Sequence, residues 1–278
     1  MSPAPFRGAG ADTVGAIVTR YAVRDEVPMP PADDARRLVR LLWRSGPEAD
    51  ARPRRGPKQR VSVDEIVDTA VDLADRNGLD AVSMRALATA LGIGPMSLYT
   101  YVPSRDVLVA LMIDRVAADH PMPEPATTPA ESLAAIARAL RDELLAHPWL
   151  LDAPPWRHVL GPNWLARYER QLEALESADL PDLDRDRILS VLTSFVVGNA
   201  REAVSARTAP SRSGMSDAEW WEAVAPELDA VIPDGAYPLA NRVGSAAGEL
   251  YQAPGAPAEV FEFGLARLLD GLRPLLGE

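Results

Sequence analysis

Apolar residues recur every three or four positions along most of this 278-residue chain, and nowhere do they alternate as a half-buried strand demands. Val63, Ile66, Val67, Ala70 and Ala74 form one stripe, Leu108, Leu111, Met112 and Val116 a second, and Leu133, Ile136, Leu140 and Leu144 a third. Leu165, Tyr168, Leu172 and Leu175 make a fourth. Each reads as the buried face of an amphipathic helix. Residues 188–204 are apolar on nearly every side, which predicts a helix buried from several directions at once. A last helix from about Ala258 carries Phe261, Leu265, Leu268, Leu272 and Leu275, with Gly264 and Gly271 small enough for close approach. The interval 208–255 is too long for a bare loop, so helices are placed near 217–224 and 239–252. The fold class is all-α, without internal repeats.

Start and stop signals bound these helices. Ser62 with Glu65, and Thr128 with Glu131, are capping boxes, while Ser104 caps the stripe that begins at Leu108. Asn77-Gly78-Leu79 and His147-Pro148 are stops, and Pro121, Pro123 and Pro125 forbid a helix between the first half of the chain and the second. Residues 83–105 carry the most informative arrangement. Ser83 caps a short helix, Gly92 ends it, and Gly94-Pro95 opens another. Ala88 lets the two helices cross closely, Gly92 takes a positive-φ corner, and Leu98 plugs the second helix onto the first. This is a helix-turn-helix, whose second helix suits a DNA major groove.

Charge refines that reading. The formal net charge of −11 divides into 0 for residues 1–50, +1 for 51–118 and −12 for the remainder, so acidity belongs to the C-terminal part. Such a body discourages loose adhesion to DNA and leaves binding to a confined basic surface. Arg52, Arg54, Arg55, Lys58 and Arg60 stand together without an acid, on a backbone that Pro and Gly keep from folding. Directly before a helix-turn-helix, this run reads as an arm for phosphates or the minor groove. Residues 1–50 read as a loosely ordered extension. Within it, Val14, Ile17, Val18 and Tyr21, and then Leu38, Leu41 and Leu42 beside Arg36, Arg37, Arg40 and Arg44, have helical spacing. Contact of the arginine-rich stretch with DNA or with the protein body stays open.

No cysteine is present, and the three histidines leave little for a metal site, so neither metal nor cofactor is expected. No leader or membrane-spanning run stands out, which places the chain in the cytoplasm. There is no nucleophile with a base, no carboxylate pair with histidine and no glycine-rich phosphate loop, so catalysis is not expected.

The motif Ser-Met-Arg-x-Leu-Ala-x-x-Leu-Gly-Ile at 83–93, then Leu-Tyr-x-Tyr-Val at 98–102 and Ser104-Arg105, resembles the N-terminal domain of the Tet repressor family of bacterial transcription regulators. The later part is more weakly similar to the tetracycline-repressor subgroup, at 168–172, 192–200 and 263–272. Residues 1–50 lie outside this resemblance; after them and the basic arm (51–60), it implies a DNA-binding head (61–118) and a ligand-binding and dimerisation body (119–278). It implies a homodimer joined through the 188–204 helix and the final helix. It also implies that Arg85 meets phosphate or guanine, that Pro95, Met96, Ser97 and Thr100 face the groove, and that Tyr99, Tyr101 and Arg105 hold phosphates. For Met96 and Tyr101, packing beneath the short helix is a nearly equal alternative. For Leu98 and Val102 packing is the better reading.

For a ligand, the resemblance points to Gln171, to His120 and, through a loose alignment, to His158, but the departure at 153–158 argues against tetracycline with magnesium. Trp149, Trp156, Trp164, Tyr168, Phe195 and Asn199 would line a pocket for a flat, mostly apolar effector. Each aromatic alone reads as core. The expected function is an effector-released repressor on a palindromic DNA operator. An all-helical binding protein or enzyme with a vestigial helix-turn-helix, and an activator of the same fold, remain as alternatives.

Overall fold

A computed structural model describes residues 32–45, 61–153, 160–233 and 235–278; among them are 11 α-helices and no strand. After α1 (Ala32–Leu42) come α2 (Val63–Asn77), α3 (Met84–Ala90), α4 (Pro95–Tyr101) and α5 (Arg105–Asp119). Short 3-10 turns lie at Leu79–Ala81 and Pro148–Leu151. The C-terminal part holds α6 (Pro129–Ala146), α7 (Pro162–Glu173), α8 (Asp182–Ser213), α9 (Asp217–Val231), α10 (Pro238–Tyr251) and α11 (Pro257–Leu276).

Local chemistry sets the boundaries. The side chains of Ser62, Ser83, Ser104 and Thr128 each accept a hydrogen bond from the backbone N–H three residues on, and both expected capping boxes close. Ser216 and Glu219 form a third box at the start of α9. Gly78 and Gly92 sit at φ 81° and 66°, where a side chain would be strained.

Two apolar clusters follow from these helices. In the head, Ile66, Leu87, Leu98, Leu108 and Met112 are fully buried together, and α1 adds Leu42 to the same cluster while lying against α5. In the body, Leu133, Ile136, Leu175, Leu192, Phe261 and Leu265 are shared among α6, the turn after α7, α8 and α11. The arginine-rich stretch of the extension is thus an ordered helix docked on the protein, whereas the spacing at Val14 to Tyr21 lies outside the described residues.

Three expectations need revision. The helix read at 188–204 spans 32 residues, and its C-terminal half continues past Pro210 to a left-handed Gly214. Nor is it buried on several sides within one chain: Ile188, Leu189, Leu192 and Val196 are covered, but Val191 is 49% exposed. The third concerns glycine. A Cβ on Gly264 would lie 2.6 Å from Phe195 Cε2, so α8 and α11 do approach there, but one on Gly271 would meet nothing within 4 Å.

Gly264→Ala is therefore expected to destabilise by about 1–3 kcal/mol through overpacking, net of a helix-propensity gain of up to about 1 kcal/mol. Urea denaturation at fixed protein concentration reads this; an unchanged midpoint would show that the α8–α11 contact yields freely.

Candidate nucleic-acid interface and effector region

α3 and α4 meet across a turn in which the Ile93 N–H donates to the Ala88 carbonyl at 3.0 Å, and Gly92 turns the corner. Pro95 takes the first position of α4, where its missing N–H costs nothing. Leu98 and Val102 are fully buried, as packing residues. Around Leu98, the side chains of Pro95, Ser97, Tyr99 and Thr100 are exposed, and Met96 is 79% exposed, which removes the packing alternative for it. Arg85 is exposed on α3, while Tyr101 is half-buried against the head cluster. A two-turn helix thus presents one outward face of small, hydroxyl and apolar groups, the mixture that reads base edges and phosphate oxygens.

Arg105 is exposed at the start of α5, and its Nε donates to the Val82 carbonyl at 2.9 Å and its Nη2 to that of Leu79 at 2.8 Å, so its guanidinium also braces the Leu79–Ala81 turn. The arm residues Arg52, Arg54, Arg55, Lys58 and Arg60 lie outside the described residues, as do Trp156 and His158.

The structure distributes the remaining effector candidates over three places. At the junction of head and body, His120 Nε2 is 3.1 Å from His147 Nε2, and His147 Nδ1 is 2.7 Å from Asp75 Oδ1 on α2. Trp149, only 2% exposed, donates its indole N–H to the same Asp75 oxygen at 2.8 Å and joins the head cluster. Trp149 thus staples the turn after α6 to α2 of the head. On α7, Trp164 and Tyr168 stack at 5.7 Å, the Tyr168 hydroxyl donates to Asp186, and buried Gln171 meets Met122 Sδ at 3.6 Å. On α8, Phe195 stacks on Phe261 at 5.6 Å, while Asn199 accepts from Arg141 and donates to the Pro257 carbonyl. The polar atoms of Asn199 are therefore engaged in holding α6, α8 and α11 together. A surface depression of about 540 Å³ lined by Pro125, Thr127, Pro129 and Glu173 contains none of the effector candidates.

Two polar arrangements escaped the sequence. Arg167 forms a two-pronged pair with buried Glu143, at 2.9 and 2.5 Å, and also donates to the His120 carbonyl at 3.1 Å. Its Nε has no hydrogen-bond partner among the described residues. Asp114 on α5, also buried, accepts from the Trp164 backbone N–H and from Asn163 Nδ2, both at 2.9 Å. It caps α7 from another helix, and Gly161 is required beside it because a Cβ there would lie 2.1 Å from its Oδ1. Partners tens of residues apart leave no local spacing to read. Burial pushes the Asp114 carboxyl above its ordinary range, against the lowering effect of the Trp164 and Asn163 hydrogen bonds and of nearby Arg44.

Comparison with known proteins adds the following. The family model described as tetracycline repressor-like, C-terminal domain, matches residues 122–276, and that of bacterial regulatory proteins of the tetR family matches residues 66–112. The HTH-type transcriptional repressor DrrR1 of Streptomyces coeruleorubidus is 37% identical over 249 residues, 88% of each chain. The structure of apo ActR from Streptomyces coelicolor superposes with a TM-score of 0.64 at 32% identity, covering 80% of this chain and 99% of that one. ActR in complex with actinorhodin gives the same TM-score at 33% identity, again over 80% of this chain and 100% of the other.

The raised Asp114 carboxyl makes a prediction with a definite sign. Because the folded state favours the protonated acid, folding takes up a proton, and this group's contribution to stability falls as pH rises from the free-aspartate value through the raised folded one. Relative to Asp114→Asn, the unmutated protein should therefore gain stability as pH is lowered from neutral toward about 4. Parallel denaturation curves across that range would contradict it.

Proposed function

Because this chain belongs to the TetR family of bacterial transcription regulators, we propose that it is a small-molecule-responsive repressor acting as a homodimer on a palindromic operator. The observation that carries this reading is the outward face of α4, where Met96, Ser97, Tyr99 and Thr100 surround a fully buried Leu98. Arg85 on α3 meets phosphate or a guanine edge, and the basic arm at 52–60 supplies further phosphate contacts. Two heads spaced about one DNA turn, roughly 34–36 Å, would read the two half-sites.

The homodimer is supported by apolar surface left uncovered in a single chain. Val191 on α8 and Val260, Phe263 and Leu275 on α11 are exposed on the two helices that the family resemblance assigns to the interface. α9 and α10 carry Trp220, Trp221, Val231, Leu239, Val243 and Leu250 at the surface, and neither helix buries a residue. Exposed apolar side chains in this number are what a second subunit covers.

The effector reading rests on α7, where the Trp164–Tyr168 stack, Gln171 and the buried Arg167–Glu143 pair lie together. That the related ActR has been solved with actinorhodin supports a small organic effector here. Such a molecule engaging α7 would act on α5 through Asp114, and a coupling of about 1–3 kcal/mol is enough for a useful switch.

Arg85→Ala combined with Tyr99→Phe is expected to weaken binding to a fragment of the chain's own promoter by about 10- to 100-fold without changing the dimer, and binding should fall steeply with salt. Gel shifts at two salt concentrations check both; equal affinity for the variant would defeat the assignment of this face. Phe263→Asp should halve the sedimenting mass at micromolar concentration and abolish operator binding with it. An unmutated chain that sediments as a monomer would defeat the dimer.

A further inference from the structure

α1 lies before the stretches that both family models match, yet the segment 32–45 is hydrogen-bonded both to α4 and to the residues that lead into α7. Near the middle of α1, Arg37 Nη2 donates to the Thr100 carbonyl at 2.8 Å. Thr100 is in the last turn of α4, where carbonyls have no partner within the helix and a cation is favoured. Just past its end, the Trp43 indole N–H donates to the Leu160 carbonyl at 2.9 Å. Leu160 directly precedes the first turn of α7, which Asp114 holds by the Trp164 N–H and the Asn163 amide. Between these two contacts Leu42 is buried in the head cluster, and just beyond them Arg44 pairs with Asp64 in the first turn of α2. α1 is thus an 11-residue helix anchored in the head and hydrogen-bonded, from its middle and from just past its C-terminal end, to two different elements, the contacts lying six residues or roughly 9 Å apart along it.

We propose that α1 is a strut that couples the start of α7 to the recognition helix, with Trp43 and Arg37 as its positioning residues. This rests on the reading above, in which α4 meets the operator and α7 the effector. α4, with seven residues, has few hydrogen bonds of its own, so a charged cap on its last turn sets the pitch at which its outward side chains meet the groove. Movement of the first turn of α7 pulls on Trp43, and α1 carries the displacement to Thr100. The coupling runs equally in reverse, so operator binding must be felt at Leu160.

The test is amide hydrogen exchange on the full-length protein, unmutated and as Trp43→Phe and Arg37→Gln, each free and bound to a promoter fragment. Trp43→Phe keeps an aromatic side chain and removes the donor. The strut predicts crossed effects: Trp43→Phe speeds exchange about three- to tenfold at 98–103, and Arg37→Gln does so at 161–166. In the unmutated protein, DNA should slow exchange at 161–166, and Trp43→Phe should lose that protection while keeping protection at 98–103. Changes confined to the mutated end in both variants would overturn the strut, as would DNA protection at 161–166 that survives Trp43→Phe. Crossed effects in a protein that ignores its promoter would support the strut and overturn the operator reading instead. Should either variant fail to fold, the DNA-induced protection of 161–166 in the unmutated protein decides: its absence overturns the coupling.

Discussion

A helix of seven residues cannot hold its own shape in water, because two turns do not repay the entropy of nucleation. α4 exists only because the head cluster grips it. Leu98 and Val102 are fully buried, Pro95 pre-sets the first turn, and the Gly92 corner delivers the chain at the right angle. The outward side chains therefore inherit their positions from the apolar core behind them. This explains how Met96 can stand so exposed on an otherwise well-packed head: the inward half of the helix supplies the stability, and the outward half is left for a partner.

Head and body are joined by a different kind of contact. Within each cluster the contacts are apolar and close-packed, whereas the connections between them include several directional polar ones. Asp75 accepts from Trp149 and pairs with His147, Asp114 caps α7, and Trp43 reaches Leu160. Close-packed apolar surfaces resist small displacements in all directions, while hydrogen bonds of good geometry specify discrete arrangements and exchange partners at modest net cost. A junction built this way suits a molecule in which one body must reorient against the other without either core being disturbed. The raised carboxyl of Asp114 marks where this arrangement is least comfortable, since burial opposes the charged form of a group that holds a helix end.

Most of the fold was legible because its punctuation is local. Ser62, Ser83, Ser104 and Thr128 cap helices through contacts three residues away, and Gly78 and Gly92 adopt the positive φ that their positions imply. The outward face of α4 was legible for the same reason, since one buried position in a seven-residue helix settles where its neighbours point. The effector region was not. Trp149 looks like a pocket residue beside other tryptophans, and its indole N–H is held by Asp75, 74 positions earlier. Arg105 stands where a phosphate ligand would, and its guanidinium also braces a turn 23 to 26 residues away. Aromatic and arginine side chains serve core and surface alike, so only their tertiary neighbours decide between the roles. The arginines of α1 were ambiguous for that reason too: Arg37 and Arg44 find a carbonyl and a carboxylate of the head that no short-range pattern announces.

The apolar faces of α8 to α11 complete the physical argument. α9 and α10, of 15 and 14 residues, are near the length at which an isolated helix is marginal, and among the described residues no other element packs extensively along them. The Ser216–Glu219 box and the proline at the first position of α10 help at the ends but cannot offset an uncovered interior. Helices that carry exposed tryptophan, leucine and valine at this density persist only when another surface dehydrates them. A second copy of the chain is the economical source, because Val191 and Phe263 present further apolar surface on the adjoining α8 and α11. On this reading, the same burial that stabilises the C-terminal helices sets the spacing of the two heads, and operator recognition becomes inseparable from dimer assembly.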